Sequence, residues 1–258
     1  MSVLWFVGLG LDDERGLSRR ALQVLSSCEV FAEEYTAVAS PGSVERLGRE
    51  LGRPVHRLGR AEVEQETVVL QALARSTDVA LVVVGDPFAA TTHVALRLAA
   101  ERAGHSWEYL PNASILVAAA GFLGLSHYRF GRTVSLPFPA PGFEPRSPLE
   151  QIAANRERDL HTLLLLDLAP EAERFLRADE AIAILRARDP ASAVLSEDDP
   201  LAVAARVGRP EAKGFYGPVR LLRGVDFGPP LHAVVVPARS LHFEEEAALE
   251  RFRIGRPA

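Results

Sequence analysis

A chain of 258 residues, 48% hydrophobic and 24% charged, is long enough for one large domain or two modest ones and suits neither a disordered nor a fibrous protein. Its single cysteine, Cys28, excludes an intramolecular disulfide framework and a cysteine-rich metal site, and it allows a reducing compartment. A net charge of −5 argues against a nucleic-acid partner, and no apolar stretch of about 18 residues is present to cross a membrane. The opening MSVLWFVGLGLDDER has no basic lead, and glycine and acid break its apolar run. It therefore reads as neither a signal peptide nor a span, and a cytoplasmic protein is expected. Lys213 is the only lysine among 29 lysines and arginines; that bias reads as GC-rich coding rather than as a partner signal.

In chain order, residues 3–9 form an apolar run that ends in glycines, which predicts a buried parallel strand. Residues 17–25 place Leu17, Ala21, Val24 and Leu25 on one helical face. Strands are predicted at 30–35 and 55–58, with a short helix at 43–51 after the Pro41-Gly42 turn. Residues 60–76 read as one long amphipathic segment. Residues 78–84, DVALVVV, are the clearest buried strand, stopping at Gly85-Asp86-Pro87. A helix follows over about 92–103, then a strand near 107–110. The βαβα order predicts an open, largely parallel α/β sheet.

The second half keeps the class with different spacing. Residues 112–123 predict a small-residue helix and 133–136 a strand. Pro137, Pro139, Pro141, Pro145 and Pro148 make 137–148 a loop. A helix is expected at 149–159, a buried strand at 161–168 and a helix at 178–188. Further strands are expected at 193–196, 201–207 and 231–236, then a helical end over 239–253. With the join near Pro111, two α/β domains with parallel and mixed sheets are expected, over 1–110 and 111–258.

Three short motifs are candidate sites. In Gly8-Leu9-Gly10-Leu11 the glycines let a ligand approach the main chain, but Asp13 stands where a dinucleotide fingerprint needs its third glycine. Taken alone, the motif reads first as a plain structural turn. In Gly85-Asp86-Pro87-Phe88-Ala89-Ala90-Thr91-Thr92 the Asp86 carboxylate leaves the best strand where open α/β sheets bind ligands, or it is a turn residue. Thr91 or Thr92 is a candidate cap for the next helix. In Asn112-Ala113-Ser114-Ile115, Asn112 or Ser114 reads as an N-cap, and a helix start also binds carboxylates. Glu33, Glu34 and Tyr35 form either an acidic rim or a solvated strand end. The seven histidines lack metal-motif spacing, so no metal is expected. GxxxxGK[ST] and GxSxG do not occur, which removes a P-loop NTPase and a hydrolase nucleophile elbow.

WFVGLGLDDERGLS, EEYT, GDPFAATTH, PNASI, LHTLLLLDL and PPLHAVVVP fall in the order seen in diphthine synthases, and from about residue 3 to residue 242 the chain resembles that family. The GLG and GDP turns mark only the broader class that contains the tetrapyrrole methylases; the longer strings are narrower. Val84 stands where relatives often carry proline, Asn112 replaces less polar residues, and 209–217 is the least family-like stretch. The resemblance implies a homodimer of two-domain α/β chains with S-adenosylmethionine bound in a cleft between the domains. It implies trimethylation of the amino group of a modified histidine on elongation factor 2. It carries cofactor contacts onto Leu11, Asp86, Ala89, Ser114, Ile115, Leu166, Val207 and His232. Leu11, Ala89, Ile115 and Leu166 are apolar and have only main-chain polar groups to offer.

An amine attacking a sulfonium methyl needs alignment rather than a protein nucleophile. No catalytic residue is therefore assigned, and Asp86, Glu33 and Glu34 are the carboxylates to inspect as proton acceptors. A tetrapyrrole C-methyltransferase shares the expected fold and cofactor but calls for more cationic side chains. A non-catalytic nucleoside-binding regulator is the reading from a different class. Phe138 and Phe143 in the proline-rich loop either pack back on the body or form a contact surface for a dimer partner or the elongation factor.

Overall fold

The computed structural model describes residues 2–75, 77–143 and 145–255. Ser76 at the expected end of the 60–76 segment, Glu144 of the 137–148 loop, and the outermost domain limits 1 and 258 lie outside the described residues. Two compact units are present: Met1–Ser114 with Ala169–Glu173, and Ile115–Leu168 with Arg174–Ala258.

In the first unit the elements are β1 (Val3–Gly10), α1 (Arg19–Leu25), β2 (Glu29–Glu33), α2 (Ser43–Leu51), β3 (His56–Leu58), α3 (Arg60–Glu64), α4 (Thr67–Ala74), β4 (Val79–Val84), α5 (Val94–Arg102) and β5 (Ser106–Leu110). The five strands run parallel in the order β3-β2-β4-β1-β5. Period-2 alternation sends side chains to both faces. Val7, Leu9, Val30, Ala32, Ala80 and Val82 meet α1 and α2 on one face. Leu4, Phe6, Phe31, Val79, Leu81 and Val83 meet α3, α4 and α5 on the other. A sheet covered on both sides explains why 78–84 has no polar alternation. The chain leaves β1 toward one face and the adjacent β4 toward the other, the arrangement that opens a ligand crevice at the strands' C-terminal ends.

The second unit holds α6 (Ile115–Leu123), β6 (Val134–Leu136), α7 (Ser147–Glu157), β7 (Thr162–Leu166), the first residue of β8 (Leu168–Ala169), β9 (Arg174–Phe175), α8 (Ala178–Arg188), β10 (Pro200–Ala205), β11 (Lys213–Pro218), α9 (Val219–Leu222), β12 (His232–Val236) and α10 (Phe243–Glu250). Its five-stranded sheet runs β11-β10-β12-β7-β6. Only β6 and β7 pair parallel; the other pairs are antiparallel. Leu164, Val203, Val234 and Val236 face α7, α8 and α9, whereas Leu163, Ala202, Ala204, Ala233 and Val235 face α6 and α10. The expected α/β architecture, with one parallel and one mixed sheet, is the one the chain adopts.

Several local expectations are corrected. The expected single segment is instead two helices, Arg60–Glu64 and Thr67–Ala74, because Glu66 takes a left-handed φ of 63° between them. Ser147 opens α7 with Pro148 in its first turn, where proline's missing N–H costs nothing. Residues 239–242 precede the last helix, whose N-cap is His242. Strand β11 and helix α9 lie in a stretch without a periodic signal. Residues 193–196 are not a strand. The N–H groups of Ala193, Val194 and Leu195 donate to the Asp189 carboxylate at 2.9, 3.0 and 2.8 Å, so their donors are consumed by a side chain and cannot join a ladder. Although burial opposes the charge, these bonds and Arg186 hold the Asp189 carboxyl below its usual range. Asp189→Ala removes one acceptor from three main-chain donors and is expected to destabilise the chain by at least about 2 kcal/mol, read as a lowered urea midpoint.

Candidate functional site

Strands β4, β1 and β5 are neighbours, so their C-terminal ends bring the three sequence motifs together. Gly10 and Gly85 exchange main-chain hydrogen bonds, N to O at 3.2 Å and 2.7 Å, with φ values of 87° and 83°. A Cβ at Gly8 would lie 2.6 Å from the Asn112 Cβ and 2.8 Å from the Gly85 oxygen; no side chain fits there. A Cβ at Gly85 would meet only the Ala113 oxygen, at 3.9 Å. The main chain of this turn is therefore open to close approach, as a ligand held by backbone groups requires.

Asp86 ties its own turn to the exit of β5. Its Oδ1 accepts from the Phe88 N–H at 3.0 Å, and its Oδ2 accepts from the Tyr109 hydroxyl at 2.5 Å and the Asn112 N–H at 3.2 Å. Burial, then the neighbouring carboxylate, pushes the Tyr109 phenol above its usual range. A carboxylate has about four acceptor positions, so three in-chain donors leave room for one more. The turn and ligand readings of Asp86 are thus compatible, but the side chain is not free of competitors.

Asn112 is not a helix cap. Its Nδ2 donates to the Gly8 and Gly16 carbonyls at 2.8 and 3.0 Å, clamping the loop that carries Leu11, and α6 starts at Ile115. Thr91 and Thr92 do not cap α5 either. His93 occupies the N-cap position, and the Thr91 hydroxyl donates to the Pro87 carbonyl at 2.6 Å. The Ala89 N–H closes a turn onto the Asp86 carbonyl at 3.2 Å, leaving Ala89 its carbonyl for a ligand. Leu11, Ala89 and Ser114 are half-buried on these three loops.

Glu33 and Tyr35 form neither a rim nor a solvated strand end. Glu33 is 1% and Tyr35 4% exposed, and Glu34 pairs with Arg57. Tyr109 and Asn112, which fasten Asp86, were not singled out as partners, because an aromatic at an edge-strand end and an asparagine before a helix each have common structural explanations.

In the second unit the ladder pairs Ala205 with His232 and Ala233 with Leu165. This gathers Leu166, Val207 and His232 at one edge of the mixed sheet. His232 is 8% exposed. Its Nδ1 accepts from the Ala178 N–H at the start of α8, 3.1 Å away, and its Nε2 lies 3.1 Å from the Pro229 carbonyl. The carbonyl can only accept, so Nε2 carries the proton. Burial first, then the cations Arg206 and Arg177, pull the imidazole down to about 4. Both ring nitrogens are therefore engaged within the chain. Ile115 begins α6 and packs toward the sheet. In the proline-rich loop the two rings part. Phe138 packs against the core with the Arg174 guanidinium 3.9 Å over its ring, while Phe143 is 50% exposed.

Among the described residues no helix is long and apolar enough to cross a membrane, and no group of three metal-ligating side chains is found. The family model for tetrapyrrole (corrin/porphyrin) methylases matches residues 3–222. The diphthine synthase of Methanocaldococcus jannaschii is 36% identical over 253 residues, covering 96% of this chain and 98% of that protein. The diphthine synthase of Methanothermobacter thermautotrophicus is 38% identical over 246 residues, 94% of this chain and 92% of that one. A crystal structure of a diphthine synthase superposes with a TM-score of 0.87 at 36% identity, covering 98% of this chain and 96% of that chain.

Two outcomes are expected. His232 has a folded-state value of about 4 against an ordinary 6.5, so its neutral form is favoured by folding. That contribution is complete above pH 6.5 and is lost as pH falls through 4. Urea midpoints should fall more steeply over this window for the wild type than for His232→Leu. In the loop, Phe138→Ser should lower the urea midpoint, whereas Phe143→Ser should change the unfolding free energy by less than about 0.5 kcal/mol, as an exposed position does.

Proposed function

The chain belongs to the tetrapyrrole methylases and, within them, to the diphthine synthases, and from that membership we propose that it transfers methyl groups from S-adenosylmethionine to the amino group of a modified histidine on elongation factor 2. It is a methyltransferase of diphthamide biosynthesis, and trimethylation is the outcome expected. The observation that carries the cofactor assignment is the junction of three loops at the C-terminal edge of the parallel sheet. It joins the loops that carry Leu11, Asp86, Ala89 and Ser114 beside Gly85, whose main chain is open to close approach.

The residues present fit such a cofactor. The half-buried main chain of Leu11 and Ala89 suits polar groups of a nucleoside and an amino acid, and Asp86 keeps one acceptor position for a hydroxyl or amine. Ile115, Leu166, Val207 and His232 complete the proposed contact set. When bound, S-adenosylmethionine supplies an electrophilic methyl on a sulfonium. The work left to the chain is alignment, worth about 7–11 kcal/mol for well-oriented partners. The side chains of Asp86 and Glu33 accept hydrogen bonds from in-chain donors, and Glu34 pairs with Arg57. We assign proton removal from the substrate amine to water, before attack. The amine must be uncharged, so the rate rises with pH toward the amine's own value.

A tetrapyrrole substrate is the alternative within the family. Identity to diphthine synthases over nearly the whole of both chains favours the protein amine. The chain is proposed to act as a homodimer.

Mass spectrometry of elongation factor 2 carrying the unmethylated precursor, incubated with the enzyme and S-adenosylmethionine, tests the reading. Three added methyl groups on the modified histidine are expected. An unchanged factor, with a methylated tetrapyrrole in a parallel incubation, would overturn it. Asp86→Ala is expected to weaken S-adenosylhomocysteine binding by about 1.5–3 kcal/mol, read by calorimetry.

A further inference from the structure

The exit of β2 and the start of α5 meet in a buried polar cluster to which methyl transfer assigns no part. Glu33 is 1% exposed. Its carboxylate accepts from the main-chain N–H groups of Tyr35 and Thr36 at 3.0 and 3.1 Å, and from the Thr36 hydroxyl. The His93 ring is also 1% exposed. Its Nε2 lies 3.3 Å from the Tyr35 hydroxyl and 3.7 Å from the Glu33 Oε1. Its Nδ1 lies 2.7 Å from the Pro87 carbonyl oxygen. A carbonyl only accepts, so Nδ1 carries a proton and donates it. The Thr91 hydroxyl gives the same oxygen a second donor at 2.6 Å.

The restrained turn is the one that carries Asp86 and Ala89. Directly after Ala89, Ala90 takes a left-handed φ of 59°. A residue with a Cβ stays in that region only where its surroundings over-determine it, and such strain gathers at ligand clamps. Two observations therefore converge: an unfavourable main-chain conformation, and a buried ring whose one free donor is spent on that segment. A role in core stability alone would be met by apolar side chains of similar volume, which need no partners. What an imidazole adds is a directed hydrogen bond to one carbonyl.

We propose that His93 is a positioning residue for the cofactor. With the Tyr35 hydroxyl donating to Nε2 and the Glu33 carboxylate anchoring the main chain of Tyr35, the Nδ1 hydrogen bond to Pro87 holds the strained Asp86–Ala90 turn so that Ala89 presents its main chain to the ligand. This rests on the cofactor site proposed above. It gives a role to the last residue of GDPFAATTH and to the EEYT segment, which touch no proposed cofactor contact directly.

The test is calorimetry with S-adenosylhomocysteine, together with steady-state kinetics on elongation factor 2, for the wild type, His93→Ala, His93→Asn and Tyr35→Phe. His93→Ala is expected to raise the Kd and the cofactor KM about tenfold, the scale of one directed hydrogen bond, with kcat at saturating cofactor nearly unchanged. His93→Asn, whose amide N–H stands near the Nδ1–H position, is expected to recover most of the affinity. Tyr35→Phe, which frees the ring, should weaken binding to a smaller extent. Should His93→Ala fail to fold, Tyr35→Phe and His93→Asn decide the matter. Folded variants with wild-type Kd and KM would overturn the proposal, as would a fall in kcat alone. A wild-type chain that does not bind S-adenosylhomocysteine would overturn the cofactor site itself, and the positioning role with it.

Discussion

One carboxylate holds the end of the parallel sheet together. The Asp86 oxygens take donors from its own turn, from the last strand and from the segment entering the second unit. Neighbouring strands of a parallel sheet share ladder bonds along their length, but their exits have no such constraint and would otherwise splay. The Gly10–Gly85 exchange forms an antiparallel-type bridge at the strand exits, and Asn112 reaches back to fasten the third exit to the first. Three loops of unrelated sequence thus act as one platform. The fastenings to Asp86 are charge-assisted hydrogen bonds, the kind whose loss costs most.

That constraint explains the residue types present. Glycine is required at 8 because asparagine and a carbonyl fill the space of a side chain, and at 10 and 85 because the main chain turns through positive φ. The carboxylate at 86 serves the platform first, and any ligand it meets is bound with what capacity remains. A similar economy holds in the second unit, where the His232 ring is consumed between α8 and the Pro229 carbonyl. A side chain proposed for a ligand contact can thus be wholly engaged within the chain, which leaves only its main chain for the proposed contact.

Much of the fold was legible. The runs at 3–9 and 78–84 are apolar because both faces of the sheet are covered, and the helices at 43–51 and 178–188 carry clear apolar faces; all appear where expected. The 60–76 break was hidden because Glu66 has no glycine-like signature, although it adopts a glycine-like conformation. Residues 193–196 look β-prone, yet a carboxylate four to six positions upstream captures their N–H groups; local side-chain competition of this kind leaves no periodic trace. Strand β11 alternates poorly, with two glycines among its six residues. In the site, the glycines and Asp86 were visible as types. Their fastening by Tyr109 and Asn112, and the burial of Glu33 and His93, depend on strand order, which no short motif encodes.

Family membership supplies the reaction, and the platform supplies a physical reason for the cofactor assignment: donors and acceptors on a stiff main chain lose little freedom on binding. The central claim is that the cofactor rests on this platform. A crystal structure with S-adenosylhomocysteine tests it most directly. The account predicts ligand polar atoms within hydrogen-bond distance of the main chain of Leu11 and Ala89, beside Asp86, with the three loop exits unmoved. A ligand bound away from the Asp86 turn would contradict it.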